Sequence, residues 1–344
     1  MSTPNMAAPM TVRASRCLAD VFRRRCSLQK LSGAFIRCLT TTKNGDDDGK
    51  RETHFGFEYI PEEEKEGKVY EVFENVASRY DLMNDTMSAG VHRLWKDHFM
   101  ECMAPTPGTT LIDVAGGTGD IALRFLRYIQ SQRSTEYAAR QDFKVQIPRE
   151  IKANIYMDPA DEDSSDSSSS DEETESSQPS SVVTVCDINQ AMLDVGKTKL
   201  EKLGFTSGIS WLQGNAESLP LEDNTYDVYT IAFGIRNCTH IDKVLSEAYR
   251  VLKPGGRFMC LEFSQVNNAL LRSLYDSYSF QVIPVMGQLI AGDWKSYQYL
   301  VESIRQFPNQ EDFSAMIRRA GFRVVSHENL TFGVAAIHSG FKIV

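Results

Sequence analysis

The chain carries seven cysteines, at 17, 26, 38, 102, 186, 238 and 260, yet no two of them form a C-x-x-C pair. Its six histidines do not cluster with them at zinc spacing either. Free thiols in a reducing compartment are therefore expected, with neither a metal nor a disulfide framework. Long apolar runs are also missing. There is no h-region of a secretory signal. The apolar-rich stretch Asn268 to Trp294 is interrupted by Asp276, Gln281, Pro284 and Gln288, so it does not read as a transmembrane span. Clusters of Lys and Arg are absent beyond the first residues and the net charge is −9, which argues against a nucleic-acid partner. The 344 residues are 42% hydrophobic and 24% charged, ordinary values for a globular protein with a well-buried core.

Acids are nearly lacking from Met1 to Lys43, where eight bases accompany Asp20 alone. Rich in arginine and hydroxyls, residues 1–43 read as a mitochondrial transit peptide. Removing them leaves 29 bases against 45 acids, a net charge near −16. Residues 44–344 then read as one domain. Within it, Asp161 to Ser177 (DEDSSDSSSSDEETESS) holds no apolar residue. Such a run cannot offset the entropy of ordering, so a disordered surface insertion is expected there.

What the chain does have is organised around TTLIDVAGGTGD, Thr109 to Asp120. Leu111 to Val114 is a short apolar run of the kind found in buried parallel strands, and IALRFLRYI after the glycines begins a helix. Between them the glycines allow a sharp turn at the positive end of that helix, a cradle for a cofactor. Gly117-x-Gly119-x-x-Ala122 also fits a dinucleotide fingerprint, and such a turn can be purely structural.

Further units follow. Val182 to Cys186 is a second strand, ending on Asp187, where nucleotide-binding folds place an acid against ribose hydroxyls. Ile209 to Gln213 leads into Gly214-Asn215-Ala216-Glu217, in which Asn215 can read an adenine edge or cap a helix. Tyr226 to Phe233 precedes the loop Gly234-Ile235-Arg236-Asn237. A helix over Asp242 to Leu252 is stopped by Lys253-Pro254-Gly255-Gly256, and Arg257 to Phe263 forms a fifth strand. Upstream, Glu62 to Met103 forms a helical pre-domain with Val69, Val72, Phe73, Val76 and Tyr80 on one stripe; His92 and Trp95 read as a packing pair. Downstream, Gln310 to Ala320 is a helix closed by Gly321.

The spacing Asp113-x-x-x-Gly117-x-Gly119, Asp187, Asn215-Ala216 and the Leu-Lys-Pro-Gly-Gly turn resemble a class I S-adenosylmethionine methyltransferase. FENVASRYDLMNDTMSAGVHRLWK, DVAGGTGDIA, VCDIN, GNAESLP, AFGIRN, RVLKPGGRFMCLEFS and YQYLVESIRQFP are similar to the UbiE-type quinone C-methyltransferases nearly block for block. That resemblance implies an α/β, Rossmann-like, seven-stranded sheet whose ending pairs Phe322–Glu328 with Phe332–His338 as an antiparallel hairpin. It also implies S-adenosyl-L-methionine as cofactor, on Thr118, Asp187, Asn215 and Ala216 beside the cradle glycines Gly117 and Gly119. Bacterial relatives carry a serine where this chain has Ala232. The implied reaction is C-methylation of the ring of 2-methoxy-6-polyprenyl-1,4-benzoquinol in ubiquinone biosynthesis. The implied setting is a multi-subunit complex, peripheral on the matrix side of the mitochondrial inner membrane.

Methylating a hydroquinol carbon requires loss of a phenolic proton and stabilisation of the phenolate. Arg236 and Asn237 are the candidate catalytic pair, with Tyr80 and Asp81 nearby in the pattern, because open α/β sheets bind ligands at the carboxyl ends of their strands. A capping or salt-bridge role for Arg236 and Asn237 is the alternative. For the whole chain, the rivals are a nicotinamide-dependent dehydrogenase, against which the KPGG turn and the terminal hairpin fit methyl transfer better, and a catalytically silent cofactor-binding scaffold. The segment Asn268 to Trp294 is expected to cover the active site. Closure entropy depends on loop length only logarithmically, so deleting Asp161 to Ser177 is expected to leave melting temperature and turnover nearly unchanged; a large loss of activity would give the insertion a partner or a regulatory role.

Overall fold

The computed structural model describes residues 51–142 and 182–343. The expected transit peptide and the serine-acid insertion both lie outside them. The described chain opens with a hairpin that the sequence reading did not single out, β1 (Glu52–Phe55) and β2 (Glu58–Pro61). Three helices follow: α1 (Glu62–Val76), α2 (Tyr80–Ser88) and α3 (Val91–Met103). Glu62, Glu63 and Glu64 in the first turn of α1 complement the helix dipole. Consecutive left-handed residues, Ala89 and Gly90, end α2 and aim α3 at the sheet.

The central elements alternate strand and helix: β3 (Thr110–Val114), α4 (Asp120–Asp142), β4 (Val182–Asp187), α5 (Gln190–Lys202), β5 (Ile209–Gln213), β6 (Tyr226–Ala232), α6 (Ile241–Val251) and β7 (Leu252–Phe263). Then come α7 (Ala269–Gln281), α8 (Ile283–Ala291), α9 (Trp294–Gln306), α10 (Gln310–Arg319), β8 (Arg323–Leu330) and β9 (Ala335–Phe341). The seven main strands lie in the order β5-β4-β3-β6-β7-β9-β8, parallel except for β9, which runs antiparallel to both β7 and β8. This is the expected α/β sheet with a terminal hairpin. Alternate residues of its strands feed two cores: Leu111 and Val183 pack against α3, α4 and α5, whereas Ile112, Tyr229 and Phe258 pack against α6 and α10.

Two boundaries differ from the sequence expectation. Leu252 already pairs with Tyr226, and Lys253 to Gly256 bulge out before pairing resumes at Arg257↔Val228, so the KPGG turn interrupts a strand as well as following a helix. The terminal hairpin is displaced towards the C-terminus. Thr331, Phe332 and Gly333 all have positive φ and make the turn, with Phe332 exposed, so β9 starts only at Ala335. Asn268 to Trp294 folds as two helices, with Pro284 in the first turn of the second.

Strand order reverses between β3 and β6, and the crevice at their carboxyl ends is the ligand position in such sheets. The loops after these strands touch there: a Cβ on Gly234 would lie 2.4 Å from the Ala115 Cβ. Phe258 anchors the face behind, fully buried between the rings of Tyr229 and Phe322 at 5.7 and 5.2 Å. Phe258→Ala should cost about 3–5 kcal/mol of unfolding free energy, read by denaturant titration. A loss below 1 kcal/mol would mean that this aromatic stack is not a principal support of the sheet.

Candidate active site

The turn after β3 forms the floor of a cleft whose walls include Asp113, Gly117, Thr118, Asp187, Asn215 and Ala216. Asp187 ends β4, and its carboxylate accepts the Gly117 N–H at 2.9 Å and the Asn189 N–H at 2.8 Å, one on each oxygen. Burial raises its pKa to about 6, against the pull of those backbone donors. Asp113 is fully buried. Its Oδ1 accepts the Thr230 hydroxyl at 2.9 Å, and its Oδ2 has no partner. Desolvation pushes it to about 7. Two desolvated carboxyls, one with an unpaired oxygen, fit a ligand that brings hydroxyls or positive charge.

Helix α1 roofs this cleft. Lys65 Nζ donates to the Cys238 carbonyl at 3.1 Å, Asn215 Nδ2 donates to Glu66 at 3.0 Å, and Asn189 Nδ2 donates to the Tyr70 carbonyl at 3.1 Å. His240 lies between Glu217 at 2.7 Å and Glu62 at 3.3 Å. Burial lowers the Lys65 pKa, while Glu217 and Glu62 beside it oppose the shift.

A second cavity of about 450 Å³ adjoins the first. The two share Phe73, Tyr80, Lys96, Phe233 and Asn237 as lining residues. Its walls come from α1, α2, α3 and α7 to α9, and they are mainly aliphatic and aromatic, including Val76, Met83, Trp95, Phe263, Tyr297 and Ile304. Arg236 and Asn237 occupy a 3-10 turn just after β6, and both line this chamber. The Arg236 guanidinium is held by Glu262 at 2.9 Å and by the Phe233 carbonyl at 2.5 Å, and it lies over the Phe263 ring. Its Nε has no hydrogen-bond partner. Asn237 Oδ1 accepts the Tyr299 hydroxyl at 3.1 Å, which leaves its amide group able to donate.

The fold thus brings Gly117, Thr118, Asp187, Asn215, Ala216 and Asn237 to one cleft, with Ala232 beside them. Gly119 does not line it. There a Cβ would come within 2.8 Å of the Trp211 ring, so this glycine admits close helix–sheet packing. Thr118 directs its hydroxyl to Asp81 at 3.0 Å, and Asp81 also pairs with Lys199 at 2.8 Å. Asp81 lines neither cavity, unlike Tyr80, which lines both. Asn215 uses its side-chain oxygen to accept the Glu217 N–H at 2.8 Å, closing a tight turn; no helix begins there, so it is not the helix cap the sequence left open.

Glu262 was not singled out from the sequence, though a lone acid inside the apolar strand MCLEF was the available signal. Nor was His92 placed in a cavity. It lines the chamber, bonds to the Ser88 hydroxyl at 2.8 Å, and is held to a pKa of about 4 chiefly by burial, hence neutral at pH 7. Trp95 donates to Thr331 at 2.8 Å rather than serving only to pack.

Proteins named 2-methoxy-6-polyprenyl-1,4-benzoquinol methylase, mitochondrial, are similar along most of this chain. The one from Bos taurus is 59% identical over 292 residues, covering 85% of this chain and 84% of its own. The one from Homo sapiens is 58% identical with 85% of each covered, and the one from Danio rerio is 52% identical over 98% of this chain and all of its own. The profile of the ubiE/COQ5 methyltransferase family matches residues 62–342, a span that takes in every element from α1 to β9 and the described walls of both cavities, and the chain belongs to that family.

Proposed function

We propose that this protein methylates the ring carbon of 2-methoxy-6-polyprenyl-1,4-benzoquinol in ubiquinone biosynthesis. The methyl donor is S-adenosylmethionine, which supplies an electrophilic methyl group on a sulfonium when bound. The observation that carries the reading is the apolar chamber of about 450 Å³ opening directly beside the cleft, with Asn237 in the walls of both. An apolar lining suits a prenylated ring, and a site closed to water favours an in-line transfer.

In this reading Gly117, Thr118, Asp187, Asn215 and Ala216 hold the cofactor. Asp187 accepts the ribose hydroxyls with the lone pairs that its two backbone bonds leave free. Asp113, in the wall of the same cleft, keeps a buried oxygen without a donor. Asn237 donates to a ring hydroxyl while Tyr299 fixes its oxygen. A guanidinium is a poor general base, so Arg236 is not assigned the proton transfer. Its charge is already balanced by Glu262 and its side chain lines the chamber, so its contribution is a positioned guanidinium donor to the oxygen that becomes phenolate.

The substrate tail has an apolar path. Tyr275, Tyr278 and Ile283 of α7 and α8 face the chamber, while Leu270 and Leu289 on the same helices are 71% and 80% exposed. Among the described residues no helix is long and apolar enough to cross a membrane. Contact of this helical pair with a lipid surface agrees with a peripheral enzyme on the matrix side of the mitochondrial inner membrane, delivered by residues 1–43 and working within a multi-subunit biosynthetic complex. Residues 44–344 act as its single catalytic domain.

The decisive assay supplies the purified chain with methyl-labelled S-adenosylmethionine and a short-chain methoxy-benzoquinol. Label on the ring carbon is expected, and label on oxygen or on neither overturns the proposal. Asp187→Ala should raise the cofactor dissociation constant tenfold or more, a loss of about 1.5–3 kcal/mol; unchanged affinity in a folded variant refutes its ribose role. Arg236→Lys keeps a cation for buried Glu262 but loses the planar fork. Cofactor affinity should stay near normal while turnover falls by roughly a hundredfold. Normal turnover, or parallel losses of affinity and stability, would make Arg236 a structural residue.

A further inference from the structure

On the side of α3 away from both cavities, His98 and Cys102 stand one helical turn apart and meet Glu328 of β8. His98 Nε2 lies 2.9 Å from Glu328 Oε1 and 3.4 Å from Cys102 Sγ, and Cys102 Sγ lies 3.8 Å from Glu328 Oε2. Among the described residues, these are the His, Cys, Asp or Glu side chains that converge as a trio, with ligand atoms within 4.8 Å of one another. Tetrahedral zinc, with bonds of about 2.0–2.3 Å, sets its ligand atoms about 3.4–3.6 Å apart. His98 to Cys102 matches that spacing, and His98 and Glu328 Oε1 draw closer by roughly half an ångström as a hydrogen-bonded pair. Cys102 faces the other Glu328 oxygen, so a turn of this exposed carboxylate brings one oxygen to both.

A further carboxylate completes the pattern. Glu101 Oε2 is 3.4 Å from His98 Nδ1, the ring nitrogen that would not bind the metal. Zinc-binding histidines regularly offer that second nitrogen to a carboxylate, which fixes the tautomer and the ring orientation. Glu328 is exposed and His98 partly so, which leaves a fourth position open to water.

We propose that His98, Cys102 and Glu328 bind a zinc ion that pins α3 to the terminal hairpin. Binding displaces the proton that His98 Nε2 shares with Glu328, leaving the ring protonated on Nδ1 towards Glu101. The freed Nε2 lone pair and one Glu328 oxygen then coordinate directly, and the displaced proton and that of the Cys102 thiol pass to solvent as the bonds to zinc form. No electron changes hands. The ion would join the helix that carries His92, Trp95 and Lys96 into the cavities to the strand β8, which is 226 residues away from Cys102 at Glu328. With its third ligand 226 residues away, the trio leaves no local motif in the sequence.

The test uses the full reduced chain, stripped with a chelator and titrated with cobalt(II) as a spectroscopic substitute. One equivalent is expected to give a thiolate-to-cobalt charge-transfer band with the strong visible bands of four-coordinate cobalt, both abolished by added zinc. Cys102→Ser should remove the charge-transfer band. Glu101→Gln, which touches only the outer carboxylate, should weaken binding about 10- to 100-fold. Should the cysteine variant fail to fold, Glu328→Gln at the exposed strand position carries the same test, with at least a tenfold weakening expected. A charge-transfer band that persists in Cys102→Ser, affinity unchanged in Glu328→Gln, or a weak octahedral spectrum without thiolate character would overturn the proposal.

Discussion

The site depends on how closely Gly234 lies against Ala115. These residues follow β6 and β3, the two strands between which the sheet order reverses, and a side chain on Gly234 would have to occupy the space of the Ala115 methyl. Because that contact is so tight, the cofactor turn and the loop bearing Arg236 and Asn237 share one wall. The cleft and the chamber therefore become neighbours rather than separate pockets. Packing of the sheet, with Phe258, Tyr229 and Phe322 behind it, holds the two loops at this spacing.

The buried ion pair between Arg236 and Glu262 is the second constraint. Each partner is almost without solvent, so loss of either would leave an uncompensated charge in the interior. Burial pushes the Glu262 carboxyl up from its ordinary range, and Arg236 with two backbone N–H groups opposes that shift. The pair keeps the 3-10 turn in place and holds the guanidinium plane across Phe263. A residue that looks like a free catalytic cation in the sequence is thus a neutralised, oriented one, whose hydrogen bonds to Glu262 and to the Phe233 carbonyl both leave from Nη1.

Legibility in the sequence followed the range of the interactions. The glycine turn, the acid ending β4 and the stop after α6 were readable because each is a local demand of backbone geometry on neighbouring residues. Asp187 at the end of β4, Thr118 in the turn after β3 and Asn237 in the turn after β6 are legible for the same reason. Gly119 lies outside the cleft walls: it has a positive φ and packs against Trp211, ninety-two positions along, and a sequence cannot distinguish close packing from close ligand approach. The chamber was invisible as a chamber: its walls come from three early helices and three late ones, and each segment alone looks like ordinary core. The β1–β2 hairpin escaped notice because four-residue strands carry too little alternation to stand out.

Helix α1 has one consequence for turnover. Glu66 and Tyr70 overhang the cleft, Val72 and Val76 wall the chamber, and Phe73 belongs to both, all on a single unbroken helix. A stiff rod spanning two compartments cannot lift from one while sealing the other. In the proposed reaction both products then leave during the same opening, and both reactants are seated before the next closure. The enzyme would behave as a chamber with one door, operating in batches.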